Sequence, residues 1–206
     1  MLQFLLSMLF LIFARPFLTA GGIQSALLNI SLIIVINLGL VYACQKLKTR
    51  VIGLSLSGLA IITAVLNIIN KGNDSIAIIH LVLNLILLSY TAIVISYNML
   101  MSDRISRELI FGSIAVYLLL GIIGSLVFMT VQIFDPGAFN IDINSSASSK
   151  LIYFSFVTLT TLGFGDITPQ DTLAENCTII LSLIGQIYLT VVLALIVGKY
   201  VASKRP

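Results

Sequence analysis

Residues 160–166 read Thr-Thr-Leu-Gly-Phe-Gly-Asp and sit between two long apolar stretches near the end of the chain. Gly163 and Gly165, two positions apart, accept positive φ without steric cost. A strand whose backbone handedness alternates turns successive carbonyls to one side. The carbonyls of Thr161, Leu162, Gly163 and Phe164, with the Thr161 hydroxyl, then form a ladder of neutral oxygens suited to a cation stripped of its water. One chain offers a single oxygen per level, too few to replace a hydration shell. Four chains about an axis offer four per level, so the chemistry of this segment requires four copies.

What surrounds the segment must hold irregular backbone in an apolar setting. The chain has 206 residues, 59% hydrophobic and 9% charged, with a mean hydropathy of +1.13. Soluble domains carry roughly 25% charged residues, and about 20 apolar residues cross a bilayer as a helix. Spans are expected at about 23–44, 51–69, 75–99, 109–133 and 174–200, with a weaker one at about 2–20 interrupted by Arg15-Pro16. No Lys or Arg precedes Arg15, which favours a retained span over a cleaved signal peptide. The reading is an all-α membrane protein with six transmembrane helices. Residues 1–104 form a four-helix unit and residues 105–206 a second one.

Orientation follows from the basic residues of the short loops. Lys46, Lys48, Arg50, Arg104, Arg107, Lys199, Lys204 and Arg205 collect on one side, against Arg15, Lys71 and Lys150 on the other. The first side is expected to be cytoplasmic, with both termini there, in a multi-pass protein of the cell (inner or plasma) membrane. Asp74, Asp135, Asp142, Asp166, Asp171 and Glu175 fall outside and should mildly enrich cations there. Cys44 and Cys177 fall on opposite sides, so no intrachain disulfide is expected. The sequons at Asn73, Asn144 and Asn176 are read as chance matches, and the basic loops give no sign of nucleic-acid binding.

Between the fifth and sixth expected spans, Phe134-Asp135-Pro136-Gly137 is a turn signal, and residues 144–150 are polar, with Ser148 or Ser149 as the expected helix cap. The apolar run that follows, about 149–160, covers roughly half of a 30 Å hydrocarbon core at 1.5 Å per residue. It can enter a membrane and not cross it. Ile167-Thr168-Pro169 leads back out. Non-helical backbone at membrane depth survives only when buried in protein or lining a water-filled path, so residues 161–166 are expected to line one.

Thr161-Leu162-Gly163-Phe164-Gly165-Asp166, placed after a half-membrane helix, resembles the selectivity filter of potassium channels. The resemblance spans about residues 105–203 and is to the six-span, voltage-gated-like superfamily, prokaryotic type. It implies an outer helix at about 109–133, a re-entrant pore helix at about 149–160, a filter at 161–166 and an inner helix at about 174–203. It further implies a homotetramer among membrane lipids, with potassium held at Thr161, Leu162, Gly163 and Phe164 as the permeant ion and with no cofactor. Leu162 and Phe164 depart from the Val and Tyr of the commonest filter and leave the carbonyls in place. Thr160 and Asp166 would support the filter, with Tyr153 bonding Asp166; Val157 stands where some members carry a buried acid. Gly185 occupies the position of an inner-helix hinge, or serves close helix packing. Gln186, Leu189, Leu193 and Val197 form one stripe, with Leu193 and Val197 as candidates for a gate closed by dewetting.

The voltage-sensing mechanism of that superfamily does not carry over. No Lys or Arg lies between Lys71 and Arg104, so the fourth span has no charge ladder to move. The first four spans are read as a scaffold or as the site of an unknown regulator. His80 and Asn84, with Asn67 and Asn37, are read as interhelical hydrogen-bonders. Pro206 follows closely on the last span, so no large cytosolic domain is expected. No nucleophile–base pair, metal-ligand spacing or phosphate loop supports an enzyme. A single re-entrant segment argues against a transporter built of inverted repeats. The expected function is passive potassium conduction; the alternatives are a non-selective cation channel and a regulatory or scaffold subunit.

Overall fold

The computed structural model describes residues 1–14, 47–70, 73–102, 106–141 and 147–203. The expected span over 23–44, with Asn37 and Cys44, lies outside them. Among the described residues six helices follow in order: α1 (Leu2–Ala14), α2 (Leu47–Ile69), α3 (Asp74–Met101), α4 (Arg107–Phe134), α5 (Ala147–Leu159) and α6 (Thr172–Ser203). Among the described residues α2, α3, α4 and α6 are long and apolar enough to cross a membrane. At 13 residues α5 is about 20 Å long, short of a hydrocarbon core.

The helix starts follow from local chemistry. Asn73 caps α3 by accepting from Ser75 N at 3.1 Å, and Asp74 in the first turn complements the helix dipole. Ser106 caps α4 through Leu109 N at 3.2 Å. The start of α5 differs from expectation. The helix begins at Ala147, so Ser148 and Ser149 lie within its first turn and neither is the cap. The helix extends earlier because Ala147 already packs against the apolar cluster beneath it.

Two apolar clusters organise the described residues. One draws Met8 from α1, Ala60 and Ala64 from α2, Leu87, Leu88 and Ile95 from α3, and Ala115, Leu119 and Ile122 from α4. It therefore lies on both sides of residue 104. The other packs α5 against α4 and α6 around Phe128, Phe139 and Phe154. Their ring centroids are 5.1 to 5.5 Å apart in tilted and edge-on pairs, each worth about 1 kcal/mol beyond simple burial. α4 thus stands between the first three helices and the α5–α6 pair.

A polar strut crosses the same assembly at its other end. Lys199 Nζ, near the end of α6, donates to Met99 O at 2.8 Å and to Ser102 O at 2.5 Å. It satisfies carbonyls that the last turn of α3 leaves without helical partners, and its positive charge suits that end of the helix dipole.

Candidate functional site

The site is built from the end of α5 outward. Leu162 N donates to Val157 O and Thr161 N to Thr158 O, both at 3.0 Å. This nested pair is a Schellman closure, in which the donor of the inner bond is left-handed. Thr161 fills that place with φ 58, an unusual conformation for a β-branched residue. Gly163 follows at φ 55 and Gly165 at φ 77. Positive φ therefore recurs at every second residue from 161 to 165. That alternation is what a one-sided row of carbonyls needs.

Several contacts fix where α5 ends. Ser155 Oγ donates to Gly121 O at 2.6 Å, tying the middle of α5 to α4. Tyr117 OH donates to Leu159 O at 3.2 Å, and the Tyr117 ring stacks on Tyr188 of α6 with centroids 5.9 Å apart. Tyr188 OH in turn reaches Ser113 O at 2.8 Å. Gly185 lies against the same Leu159 carbonyl, so a Cβ added there would overlap backbone oxygen. The last turn of α5 is seated between α4 and α6 by groups from both.

The return path is braced as closely. Thr168 N donates to Asn140 Oδ1 at 2.6 Å, Asn140 N to Thr168 O at 3.2 Å, and Gln170 N to Ala138 O at 2.8 Å. Phe139 and Pro169 form an antiparallel bridge. The turn after α4 is thus a partner for the exit of the loop. The Tyr153 phenol bonds the Asp166 carboxylate, and that hydrogen bond, ahead of partial burial and the carboxylate's charge, pushes the phenol's pKa up. Tyr153 and Asp166 are thus close enough to act on one another. Thr160 Oγ1 donates to Phe156 O at 2.7 Å, so its side chain closes α5 and does not reach along the loop.

Leu162 and Phe164 are 60% and 66% exposed on the single chain, so their side chains have no cover within it. Val157 is buried. Leu189, Leu193 and Val197 are exposed along α6. Val197 lies about 18 Å along the helix from Gly185, far from the loop. Gln186 shares their stripe and bonds the loop directly: its Nε2 donates to Thr161 Oγ1 at 3.2 Å. Among the described residues, no group of three His, Cys, Asp or Glu is placed to hold a metal ion.

Sequence reasoning missed Asn140, Tyr117, Tyr188, Ser155 and the Lys199 strut. The turn signal at residues 134–137 points toward the first of these. The other four are long-range contacts for which no local pattern stands. Of His80 and Asn84, both expected to bond between helices, His80 does so and Asn84 bonds within its own helix. His80 Nδ1 lies 3.2 Å from Thr63 Oγ1, joining α3 to α2, and Asn84 Nδ2 donates to His80 O at 2.8 Å.

Membrane-length helices, with a short helix and a glycine-bearing loop set between the last two, define a pore-loop class of architecture. Residues 109–202 match the model of a family described as ion channel, which supports an ion channel of the pore-loop type and passive ion conduction. The matched segment begins in α4 and ends in α6. That family is not one of enzymes, in keeping with the lack of a catalytic motif in the sequence. No curated protein and no solved structure matches the chain.

Proposed function

We propose that the chain is a potassium-selective channel in which four copies surround an axis lined by residues 161–165. The observation that carries this reading is the alternation of positive φ at Thr161, Gly163 and Gly165, set at the end of a helix too short to cross. In the re-entrant arrangement α5 points its C-terminal end, with its partial negative charge, toward the path of the ion. The carbonyls of Thr161, Leu162, Gly163 and Phe164 take the place of hydration water, and four copies supply the oxygens of each level. Side-chain charge plays no part in the choice of ion, since the row is made of neutral backbone. The strain of a left-handed threonine, about 1 kcal/mol or more, is met by the α5 closure and by the Gln186 contact.

The need for further copies is supported by what the single chain leaves uncovered. Ile179, Leu183 and Ile187 of α6 are exposed, and an open groove of about 480 Å³ runs behind the loop between α5 and α6, lined by Val157, Thr161, Gly163, Ile179 and Leu183. Neighbouring copies fill that face in the proposed homotetramer. Leu193 and Val197 face the axis on the same helix and form the candidate gate. The basic loops favour a cell-membrane orientation with both termini in the cytoplasm. A non-selective cation channel is the second reading, favoured by Phe164, which lacks a hydroxyl to brace the loop from behind.

The test is the mass and flux of one purified preparation. The detergent-solubilised protein is expected to have the mass of four 22.3 kDa chains, and the same protein in liposomes to pass potassium in preference to sodium. A monomer that conducts, or a tetramer that passes both ions equally, would contradict the proposal.

A further inference from the structure

Gly185 and Gln186 are neighbours on α6, and they meet the end of α5 in two different ways. Gly185 lies against the Leu159 carbonyl, which stands where a Cβ would otherwise be. That close approach brings the next side chain to the loop, and Gln186 Nε2 donates to Thr161 Oγ1 at 3.2 Å. Leu189, Leu193 and Val197, which share its stripe, are apolar. Gln186 is the member of the stripe that can bond the loop.

Its partner stands at the deepest level of the carbonyl row. Thr161 directly follows the end of α5 and has φ 58, a conformation that glycine adopts without steric cost. What threonine adds at this place is a hydroxyl. A hydroxyl oxygen carries two lone pairs and one proton, and it rotates to suit its surroundings. To serve a cation it must turn a lone pair toward the ion and its proton away. The Gln186 amide takes one lone pair, which holds Oγ1 in a single rotamer and bars the proton from that direction. Without the amide, both the oxygen and its proton are free to turn. A ligand set works only when neighbouring hydrogen bonds hold its members in place.

We propose that Gln186 sets the ion affinity of this deepest level by holding the Thr161 hydroxyl as a ligand for a dehydrated cation of potassium's size. Gln186 is a positioning residue, since it acts on the ion through Thr161. The inference rests on the channel reading and adds to it a side chain of α6, outside the loop.

The experiment is a double-mutant cycle, read as block of the potassium current through the purified chain in a planar bilayer. The blocker is barium, a divalent cation close to potassium in size, added on the side where α6 ends. From that side Thr161 is the first level it meets. Gln186→Met keeps the length of the side chain and removes the amide. It is expected to raise the half-blocking barium concentration about fivefold, the worth of one neutral hydrogen bond. Thr161→Ala is expected to raise it as well, and Gln186→Met added to Thr161→Ala to change nothing further. Added to Thr161→Ser, which keeps the hydroxyl, Gln186→Met is expected to have its full effect. A side chain that only packs α6 would give the same factor in all three backgrounds. Additive changes, or parent-like block in Gln186→Met, overturn the proposal. If Gln186→Met does not assemble, Gln186→Asn, whose amide falls one methylene short of Thr161, takes its place on the same terms. A parent without potassium-selective current overturns this inference together with the channel reading. A selective parent with an additive cycle overturns this inference alone.

Discussion

Gly163 and Gly165 have nothing within 4 Å of the place where a Cβ would stand. Replacing them therefore meets no steric neighbour in the single chain, and the whole penalty is conformational, about 1–2 kcal/mol for a left-handed alanine. Gly165→Ala is expected to abolish or strongly reduce potassium flux into liposomes while leaving the thermal stability of the detergent-solubilised protein nearly unchanged. Wild-type flux and ion preference in that variant would remove the loop from the conduction path. Gly185 behaves in the opposite way. Its neighbour is the Leu159 carbonyl, which cannot rotate aside, so Gly185→Ala must push α6 off α5 and should destabilise the protein by about 1–3 kcal/mol. Thermal unfolding measures this; unchanged stability with altered channel opening would favour the hinge. Both roles of Gly185, hinge and close packing, fit the sequence equally well. What separates them is a contact 26 residues away in the chain, which no local pattern contains.

The four membrane-length helices among the described residues were legible because crossing a membrane demands long apolar runs, whereas the caps at Asn73 and Ser106 are local details that the apolar pattern does not mark. α5 was legible from its shortness. What could not be read is how the helices hold one another, since in lipid the apolar surface has no preference for protein over acyl chain and packing is decided by small residues and individual hydrogen bonds. Lys199 illustrates this. By sequence it is one basic residue among those assigned to the cytoplasmic side; in the fold its Nζ reaches three carbonyls at the end of α3, of Met99, Leu100 and Ser102. Lys199→Met should cost about 1–2 kcal/mol and loosen the last turn of α3. Hydrogen exchange at residues 99–102 should quicken while exchange in α5 stays as in the parent. Unchanged protection at residues 99–102 would show that the strut contributes nothing.

At the scale of the molecule, the first three described helices share a core with α4, and α3, the counterpart of a sensor helix, offers no means of doing electrical work. α3 runs 28 residues from Asp74 to Met101 without a Lys or Arg. Moving one charge across the membrane field is worth about 2.3 kcal/mol per 100 mV, and α3 has no basic side chain to supply it. Opening probability in single-channel recordings should therefore vary weakly between strongly negative and strongly positive potentials. A steep sigmoidal dependence would place a sensor elsewhere in the chain.

The central claim is that neutral backbone oxygens at residues 161–164 choose potassium. Its most direct test is the reversal potential of the purified protein in a planar bilayer, with potassium chloride on one side and sodium chloride at equal concentration on the other. If the carbonyl row selects potassium, the current reverses far from zero, at the sign that drives sodium against the potassium gradient, and Gly163→Ala moves the reversal toward zero or abolishes the current. A parent protein whose current reverses at zero would contradict the claim, because a row of oxygens that does not distinguish the two ions is not a potassium filter.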